Sequence, residues 1–295
     1  MTSNEEMILI KGGRFLMGTN DHLGFQDDLE GPTTEVHVAD FYMDKTTVTN
    51  RDFLTFFQDT GYVTDAERFG FSYVFHLLLS DEQKKARLAA GSTWWYEVAD
   101  ASWRMPEGPG SSIAECMDHP VVHVSYHDAY HYAKWAGKRL PLESEWEYAC
   151  RGGKEGLIFP WGNELTQDNQ FHANTWQGDF PIKNSADDGF IGTAPAKWYE
   201  PNGYGLYQMI ENVWEWCLNS GRIPLQEFAT KSSQEFIQES QEIIPSHADS
   251  LRALREGVYL CHISSCARYR NAGRNSNTAL SSTSNTGFRC VRDVN

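Results

Sequence analysis

Glycine, asparagine and aspartate recur so often after residue 153 that long helices or strands have little room to form there. The 295-residue chain contains 24 glycines, and aromatic residues make up 13% of it, including ten tryptophans. Large aromatic side chains fill space while glycine permits tight backbone turns, which is the composition that a loop-rich fold needs. Because 40% of the residues are hydrophobic, the chain can also bury a sizeable core.

Three short helices and a few strands are predicted before that point. Two helices begin with a hydroxyl residue followed three positions later by an acidic one, the pattern of a capping box: Thr49 with Asp52, and Ser125 with Asp128. A third helix follows Pro141 and ends at the glycine pair 152–153. Short apolar runs predict strands at 7–10 and 36–38.

Residues 222–255 differ in amino-acid composition from the rest of the chain. They contain polar runs rich in glutamine, glutamate and serine, which are interrupted by Phe236, Ile237, Ile243 and Ile244. This pattern predicts a surface excursion, with a helix lying on the body of the protein. No linker rich in proline, serine or glycine divides the chain, so we expect a single domain over 1–295.

The charge and the cysteine count limit the partners and the compartment. A formal net charge of −15 argues against a nucleic-acid or anionic-membrane partner, because no basic field attracts the protein to phosphates. No apolar run has membrane-spanning length, and the acidic, polar residues 1–6 are the opposite of a signal peptide. Six cysteines in a chain of this length do not form a disulfide scaffold, so a reducing, cytoplasmic location is expected.

Cys261 and Cys266 are the residues that say most about chemistry. Four residues separate them, so two thiolates can converge on one small target. Such a pair suits Cu(I), and it also suits thiol–disulfide exchange without a metal. The alternative is two ordinary buried thiols, since free cysteine is among the most buried residue types. Zinc is only weakly indicated, because no second ligand pair of the zinc-finger kind follows.

The sequence around this pair resembles the C-terminal part of formylglycine-generating enzymes, also called sulfatase-modifying factors. The resemblance covers nearly the whole chain, in blocks that follow the family's order: 10–18, 119–125, 139–148, 159–164, 174–178, 202–207, 212–216, 259–270 and 287–290. It implies a loop-rich α+β fold that is a variant of the C-type-lectin-like architecture. It also maps Cys150 and Cys290 onto a pair that is disulfide-bonded in some secreted members, which in a cytoplasmic protein predicts reduced neighbours.

The resemblance implies a specific oxidation. In the family, two cysteine thiolates hold Cu(I), a substrate thiol adds as third ligand, and dioxygen oxidises the substrate's β-carbon through a thioaldehyde to formylglycine. The matching copper positions are Cys261 and Cys266, with Trp176 beside the oxygen pocket. The residues that would shape the substrate pocket are Arg268, Tyr269, Arg270, Arg274 and Asn277. Alternatively, Arg268 and Arg270 brace acidic loops, and Trp176 belongs to the core.

Calcium is a second predicted cofactor. Asn174 and residues 187–190 offer hard oxygens near glycine turns, although an Asx-type turn with solvated acids explains the same residues. The resemblance implies one calcium ion at Asn174, the Thr175 carbonyl, Asp188 and the Phe190 carbonyl. It implies a second ion at Gln208, the carbonyls of Glu211 and Val213, and Glu215. This second site is expected to be empty or weaker, because Gln208 and Glu211 stand where the family usually has asparagine and glycine.

Three departures from the family pattern lie near the expected approach of the substrate. Val258 replaces a serine whose hydroxyl lies in the active site of typical members, and valine cannot donate a hydrogen bond. Residues 279–280 are Ala-Leu where Pro-Asp is common, and residues 217–221 replace an acidic-aromatic stretch. The copper ligands are kept while their surroundings change. This favours a substrate other than the usual sulfatase peptide, or a weakened sulfatase modifier.

Three functions are consistent with these features, and the first is favoured. It is a copper-dependent, oxygen-using oxidase that converts a cysteine, in a peptide, a protein or a small thiol, to an aldehyde. The second is a non-catalytic binding paralogue of the C-type-lectin-like kind, and the third is a metal-free thiol–disulfide switch. A non-haem iron site is not favoured, because Pro120 and a strand-like run keep four regularly spaced histidines off one helix face: His119, His123, His127 and His131.

Overall fold

A computed structural model of the chain describes residues 6–167, 170–243 and 250–294. Within those ranges the α-helices are α1 (Asn50–Thr60), α2 (Asp65–Phe69), α3 (Tyr126–Trp135), α4 (Glu143–Cys150), α5 (Leu225–Thr230) and α6 (Ser233–Ile243). The strands are β1 (Met7–Ile10), β2 (Gly13–Met17), β3 (Thr34–Val38), β4 (Phe41–Asp44), β5 (Phe71–Phe75), β6 (Arg87–Leu88), β7 (Trp95–Ala99), β8 (Thr166–Gln167), β9 (Gln170–Phe171), β10 (Gly178–Asp179), β11 (Lys183–Asn184), β12 (Trp214–Ser220), β13 (Leu251–Arg255), β14 (Arg274–Thr278), β15 (Thr286–Gly287) and β16 (Val291–Asp293). None of the described helices is long and apolar enough to cross a membrane.

The central sheet has four strands in the order β14, β13, β12, β15. Strand β12 pairs antiparallel with β13 and parallel with β15, and β13 pairs antiparallel with β14. The first six residues of β12 are buried, so both faces of this strand are covered. Smaller sheets formed by β1–β4–β16, β5–β7–β6 and β2–β3 surround it. The short elements and long connections agree with the loop-rich α+β architecture expected from the sequence.

The predicted capping boxes begin helices α1 and α3. Thr49 Oγ1 accepts a hydrogen bond from the Asp52 N–H (3.3 Å), and the Asp52 carboxylate accepts one from the Thr49 N–H (3.0 Å). Ser125 and Asp128 make the same two hydrogen bonds, at 3.1 and 2.8 Å. Helix α2 begins with a third capping box at Thr64. This helix was not predicted, although the Thr-x-x-Glu pattern is present in the sequence.

The helices of segment 222–255 lie on the body of the protein, in agreement with the sequence pattern. Phe228 of α5 and Phe236 of α6 are buried, and their rings stack with centroids 4.8 Å apart. Phe228 and Phe236 therefore attach the two helices to the core. Ile244 lies outside the described residues.

Strand β13, the last part of the same segment, corrects the expectation of a surface excursion. Its residues Arg252 and Arg255 are buried in the central sheet. Arg255 Nη2 lies 2.8 Å from Glu147 Oε2, and the Arg252 guanidinium lies 4.5 Å from the centre of the Tyr126 ring. Arginine is rarely buried unless its charge is paired, so the composition of this stretch predicted a position on the surface. The ion pair of Arg255 and the ring contact of Arg252 stabilise both side chains in the interior instead.

Helix α4 carries three buried glutamates, each paired with arginine. The pairs are Glu143 with Arg274 (2.8 Å), Glu145 with Arg139 (2.7 Å), and Glu147 with both Arg151 (2.6 Å) and Arg255 (2.8 Å). Burial alone would raise the pKa of Glu143 and Glu147, but the arginines outweigh it and hold both pKa values below the usual range. These ion pairs attach α4 to strands β13 and β14 of the central sheet.

All six cysteines lie within the described residues and are free thiols. Cys150 and Cys290 are both fully buried. The Cys150 thiol donates a hydrogen bond to Asn271 Oδ1 (3.2 Å). The two cysteines are thus unbridged, and their close approach stays a prediction.

Candidate active site

A tight turn brings the sulfurs of Cys261 and Cys266 together. The N–H of Cys261 donates to the Val258 carbonyl (2.6 Å), and the N–H of Cys266 donates to the His262 carbonyl (2.8 Å). The Cys261 thiol donates to the Cys266 sulfur, with 2.7 Å between the two sulfur atoms. From the other side, the Trp176 N–H donates to the Cys261 carbonyl (3.2 Å). The backbone of this turn therefore directs both sulfurs to one point.

The two thiols differ in acidity. Cys261 is 1% exposed, and burial raises its pKa well above the usual value. The pKa of Cys266 is lowered to about 7, mainly because the Cys261 thiol donates to its sulfur and further because Arg268 faces it. Nη1 of Arg268 lies 4.0 Å from that sulfur. Cys266 is therefore the first of the pair to become a thiolate.

A segment from the N-terminal part of the chain holds Arg268 in place. Arg268 Nε donates to Asp28 Oδ2 (2.6 Å), and its guanidinium lies 4.2 Å from the centre of the Phe25 ring. The neighbouring Arg270 is bound by both carboxylate oxygens of Glu30, at 2.9 and 2.7 Å. Both arginines thus brace acidic loops, the alternative considered from the sequence, while Arg268 also contacts the second sulfur.

A cleft of about 430 Å³ opens over Cys261. Ile158, Phe159 and Trp176 are among the apolar residues of its walls. Trp176 is 3% exposed and packs edge-on against Phe180, with ring centroids 5.0 Å apart. Trp176 is therefore both a core residue and a wall of the cleft, so the two roles considered from the sequence are compatible.

The residues expected in the substrate pocket separate into two groups. Tyr269 and Arg270 line the cleft. Arg274 is 2% exposed and forms an ion pair with Glu143 of helix α4. Asn277 lies in β14, and its amide donates a hydrogen bond to the Ser281 hydroxyl. Val258 is 3% exposed and packs in the core. These last three belong to the framework behind the cleft, outside the lining that the described residues form.

Sequence reasoning missed the contribution of residues 20–30 to the site. Leu23 lines the cleft, while Phe25 and Asp28 hold Arg268. A signal was present in the sequence: three large apolar residues, Leu23, Phe25 and Leu29, stand in an otherwise polar loop that has no periodic face to bury them. Ile263, between the two cysteines, also lines the cleft and was not singled out.

The first calcium site predicted from the resemblance contains an oxygen without a partner. Asn174 Nδ2 donates to the Gly192 carbonyl (2.9 Å), while Asn174 Oδ1 is buried and accepts no hydrogen bond from any described residue. Asp188 Oδ2 accepts from the Thr175 N–H (3.0 Å), and Asp188 Oδ1 accepts from the Phe190 N–H (3.1 Å). A cation satisfies a buried oxygen that has no donor, so these residues fit calcium.

The residues at the second predicted calcium site do not fit the ion. The Glu215 carboxylate is fully buried and accepts hydrogen bonds from the Arg289 guanidinium (2.6–2.9 Å) and from the Trp146 indole (2.8 Å). Gln208 Oε1 accepts from the Asn212 amide (2.6 Å). Both side-chain oxygens that the ion would need are therefore bound to protein donors. Val213, whose carbonyl was the remaining candidate there, is fully buried.

Glu211, at the usual glycine position of that site, lies in the left-handed backbone region with φ of 69°. Both of its carboxylate oxygens are buried and have no hydrogen-bond partner among the described residues. Glu256 has the same properties, with φ of 82°. Burial is the main cause that raises the pKa of both groups well above the usual value, and Cys266 contributes to the rise at Glu211. The protonated, neutral acid is therefore the favoured form of both side chains.

The acidity of Cys266 can be measured on the metal-free protein. We expect its alkylation rate to rise with pH and to reach half its maximum near pH 7, since the thiolate is the nucleophile. Arg268→Gln removes a facing cation and should move this midpoint about one unit higher. Arg14→Gln, which changes an exposed arginine paired with Glu35, is the matched control. Peptide mapping with a pH series of iodoacetamide checks both, and an unchanged midpoint in Arg268→Gln would contradict the role of Arg268.

Relatives of this chain span its whole length. The family model for the sulfatase-modifying factor enzyme 1-like domain matches residues 1–294. The formylglycine-generating enzyme of Bos taurus is 47% identical over 290 residues, covering 98% of this chain and 75% of the relative. That of Thermomonospora curvata is 46% identical, covering 97% and 93%. The inactive C-alpha-formylglycine-generating enzyme 2 of Bos taurus is 41% identical, covering 97% and 87%.

Among solved structures, PvdO from Pseudomonas aeruginosa superposes with a TM-score of 0.68 over 98% of this chain and 94% of its own. Its sequence identity is 24%, so this likeness concerns the fold alone. The α+β fold implied by the sequence motifs is confirmed. With a family model over residues 1–294 and named enzymes 46–47% identical, the chain belongs to the formylglycine-generating enzyme family.

Proposed function

We propose that this chain oxidises the cysteine of a peptide or protein substrate to the aldehyde formylglycine, using dioxygen. The observation that carries the proposal is the convergence of two free sulfurs, 2.7 Å apart, under an open cleft. Relatives that share 46–47% of its sequence are named for the generation of formylglycine. A small thiol of similar shape is a further possible substrate class for the same cleft.

We further propose Cu(I) as the metal held by Cys261 and Cys266. In the described ranges no group of three or more His, Cys, Asp or Glu side chains is arranged to hold a metal ion. A site of two sulfurs alone suits soft Cu(I), whereas structural zinc takes four ligands. When bound, Cu(I) would supply the oxygen activation that removes hydrogen from the β-carbon of the substrate cysteine.

The protein's own residues would prepare the site for this chemistry. The pKa of Cys266 is lowered to about 7, so a soft cation would bind a thiolate at neutral pH without having to displace a proton from the sulfur. Arg268 balances part of the negative charge that gathers at the sulfurs. Trp176 and the other apolar walls of the cleft keep water away from the reacting thiol.

A substrate other than the usual sulfatase peptide is part of the proposal. Val258 lies three residues before Cys261, its side chain is buried, and its carbonyl accepts the Cys261 N–H, so the backbone at this position is bonded directly to that of the first cysteine. The serine usual in the family would place a hydroxyl there, whereas valine offers none. The chain keeps both cysteines but has a different residue at position 258, which is consistent with specificity for a different substrate.

A non-catalytic role remains the second candidate, because one relative 41% identical is named as inactive. The convergence of two free sulfurs favours the oxidase over it, since a binding module has no need of that geometry. We also propose a reducing, cytoplasmic location, which the six unbridged thiols support.

Copper binding tests the proposed centre directly. We expect one Cu(I) per chain in competition with a chelator, and loss of this binding in Cys261→Ser and in Cys266→Ser, because a two-sulfur site needs both ligands. Cys116→Ser, at a partly buried cysteine outside the cleft, is the control and should bind as wild type. Mass spectrometry of a cysteine peptide under oxygen should show aldehyde with wild type and with Cys116→Ser, but not with Cys261→Ser or Cys266→Ser. Wild-type copper affinity in both site variants would remove the copper proposal.

The role of Val258 can be tested with a sulfatase peptide of the Cys-x-Pro-x-Arg kind. We expect slow turnover by wild type and faster turnover by Val258→Ser, since a missing preorganised donor typically costs about 2.7–4 kcal/mol in the transition state. Val258→Ala controls for the change in side-chain volume. Initial rates of aldehyde formation decide, and fast wild-type turnover that the serine leaves unchanged would identify the sulfatase peptide as the natural substrate type.

Calcium at Asn174 and Asp188 should stabilise the folded protein. We expect the melting temperature to rise on adding calcium to chelated protein, because a ligand at a hundredfold excess over Kd stabilises the folded state by about 2.7 kcal/mol. Asn174→Ala and Asp188→Asn should abolish the rise, while Gln208→Ala should retain it. Differential scanning calorimetry measures the shift, and an equal rise in wild type and both site variants would place the ion elsewhere.

A further inference from the structure

We propose that a second cavity, separate from the cysteine cleft, binds a small zwitterion of amino-acid or dipeptide size. Arg51 would bind its carboxylate, and Asp118 together with Trp198 would bind its ammonium group. The inference goes beyond the proposed oxidation, because in the described ranges this cavity and the cysteine cleft have no lining residue in common.

The cavity has a volume of about 630 Å³ and lies at the N-terminal end of helix α1. Small-molecule pockets typically measure about 300–1,000 Å³, so this one has room for an amino acid or a dipeptide. Residues 46–49, Tyr132 of α3 and residues 195–198 form parts of its wall. These parts are far apart in the sequence, so the tertiary fold alone creates the cavity.

Two opposite charges at the cavity are left without an ionic partner. Arg51 and Asp118 both line it and are exposed, and neither side chain forms an ion pair with any described residue. The backbone holds the two positions side by side, because the Arg51 N–H donates to the Met117 carbonyl (3.0 Å). The other exposed charges of the lining, Lys197 and Glu6, already form a pair at 3.0 Å. A ligand with one carboxylate and one ammonium group would pair both free charges at once.

Trp198 adds an aromatic surface beside Asp118. It is 58% exposed, and its ring packs edge-on against Phe190 with the ring centroids 5.1 Å apart. The Ala196 N–H donates to the Asp118 carbonyl (2.9 Å), which holds the segment that carries Trp198 against Asp118. Tryptophan attracts cations to its ring face more strongly than the other aromatic residues do. The ammonium group of the ligand is therefore expected on the Asp118 side of the cavity, and its carboxylate on the Arg51 side.

The charges of the inner wall are already stabilised by the protein. Lys138 and Asp44 form an ion pair at 2.6 Å. The Asp52 carboxylate accepts hydrogen bonds from the N–H (3.0 Å) and the hydroxyl (2.6 Å) of Thr49 at the start of α1, where a negative charge is favoured. Thr47 is 4% exposed, and its Oγ1 is buried without a hydrogen-bond partner among the described residues. Because a buried hydroxyl without a partner is costly, a polar group of the ligand would stabilise this wall, whereas a net charge would gain no partner there.

Ligand screening on the full-length, reduced protein tests the proposal. A pool of the standard L-amino acids and a pool of Gly-Xaa dipeptides are screened by saturation-transfer difference NMR. The strongest binder is then compared by calorimetry with its N-acetylated and its C-amidated form. We expect each blocked form to bind about tenfold more weakly, since each block removes one charge-assisted contact.

Variants of the cavity distinguish the two ends of the ligand. Arg51→Gln should weaken binding of the free zwitterion about tenfold and leave that of the C-amidated form unchanged, and Asp118→Asn should leave that of the N-acetylated form unchanged. Trp198→Ala should weaken binding of every form with a free ammonium group about threefold. Arg14→Gln and Asp59→Asn, at exposed positions outside the cavity, are the matched controls and should bind as wild type. An unchanged melting temperature without ligand shows that each variant is folded.

The outcomes assign the ligand to one cavity or to neither. The absence of any binder in both pools overturns the proposal, and so does a binder whose affinity is unchanged by blocking its ends or by both charge variants. Binding that is lost in Cys261→Ser and retained in the cavity variants would assign the ligand to the cysteine cleft and also overturn the proposal.

Discussion

The buried ion pairs of helix α4 are the interaction on which the cysteine site depends. Glu147 binds Arg255 at the end of β13, and Glu143 binds Arg274 at the start of β14. The loop that carries both sulfurs connects these two strand ends, so the helix fixes the loop at its beginning and at its end. Removing one partner of a buried pair typically costs about 3–5 kcal/mol, because the other charge is left unpaired. The geometry of the sulfurs is therefore maintained by charges that lie outside the cleft.

A second set of ion pairs joins that loop to the N-terminal part of the chain. Asp28 binds Arg268 and Glu30 binds Arg270, and Arg274 also donates to the carbonyl of Leu29 (2.8 Å). These contacts place an acidic segment against three arginines of an otherwise acidic protein. The positive charges of Arg268 and Arg270 beside the cleft are therefore balanced by carboxylates of the protein. Arg268 can still lower the pKa of Cys266 without leaving a free cation in the path of a substrate.

Two positions at which the resemblance implies another residue, Val258 and Glu211, lie close to the cysteine pair. Val258 is buried where the resemblance implies a serine, and Glu211 and Glu256 are buried on left-handed backbone, with carboxylate oxygens that have no hydrogen-bond partner in the described part of the chain. Strain of this kind is stable only where the surrounding packing enforces it, and it concentrates at functional sites. Burial raises the pKa of both glutamates well above the usual value, and a protonated carboxyl group can donate a hydrogen bond as a serine hydroxyl can. The interior next to the cysteine pair thus differs in its polar groups while both sulfurs are retained.

The sequence by itself determined the local features of this protein. A hydroxyl residue three positions before an acid favours a helix start, and together with the apolar positions that follow, Thr49 and Ser125 predicted helices α1 and α3. The spacing of Cys261 and Cys266 already allowed both sulfurs to meet. The tertiary structure alone decided which of the neighbouring arginines faces the cleft. Arg270 lines it and Arg274 does not, and Arg252 and Arg255 lie inside a strand that its composition assigned to the surface. The physical reason is that an arginine is buried only where a carboxylate or a ring meets it, and the partners of Arg268 and Arg270 lie 240 residues away. The apolar residues of the polar loop 20–30 indicated that this loop contacts something, but only the tertiary structure showed that Leu23 lines the cleft.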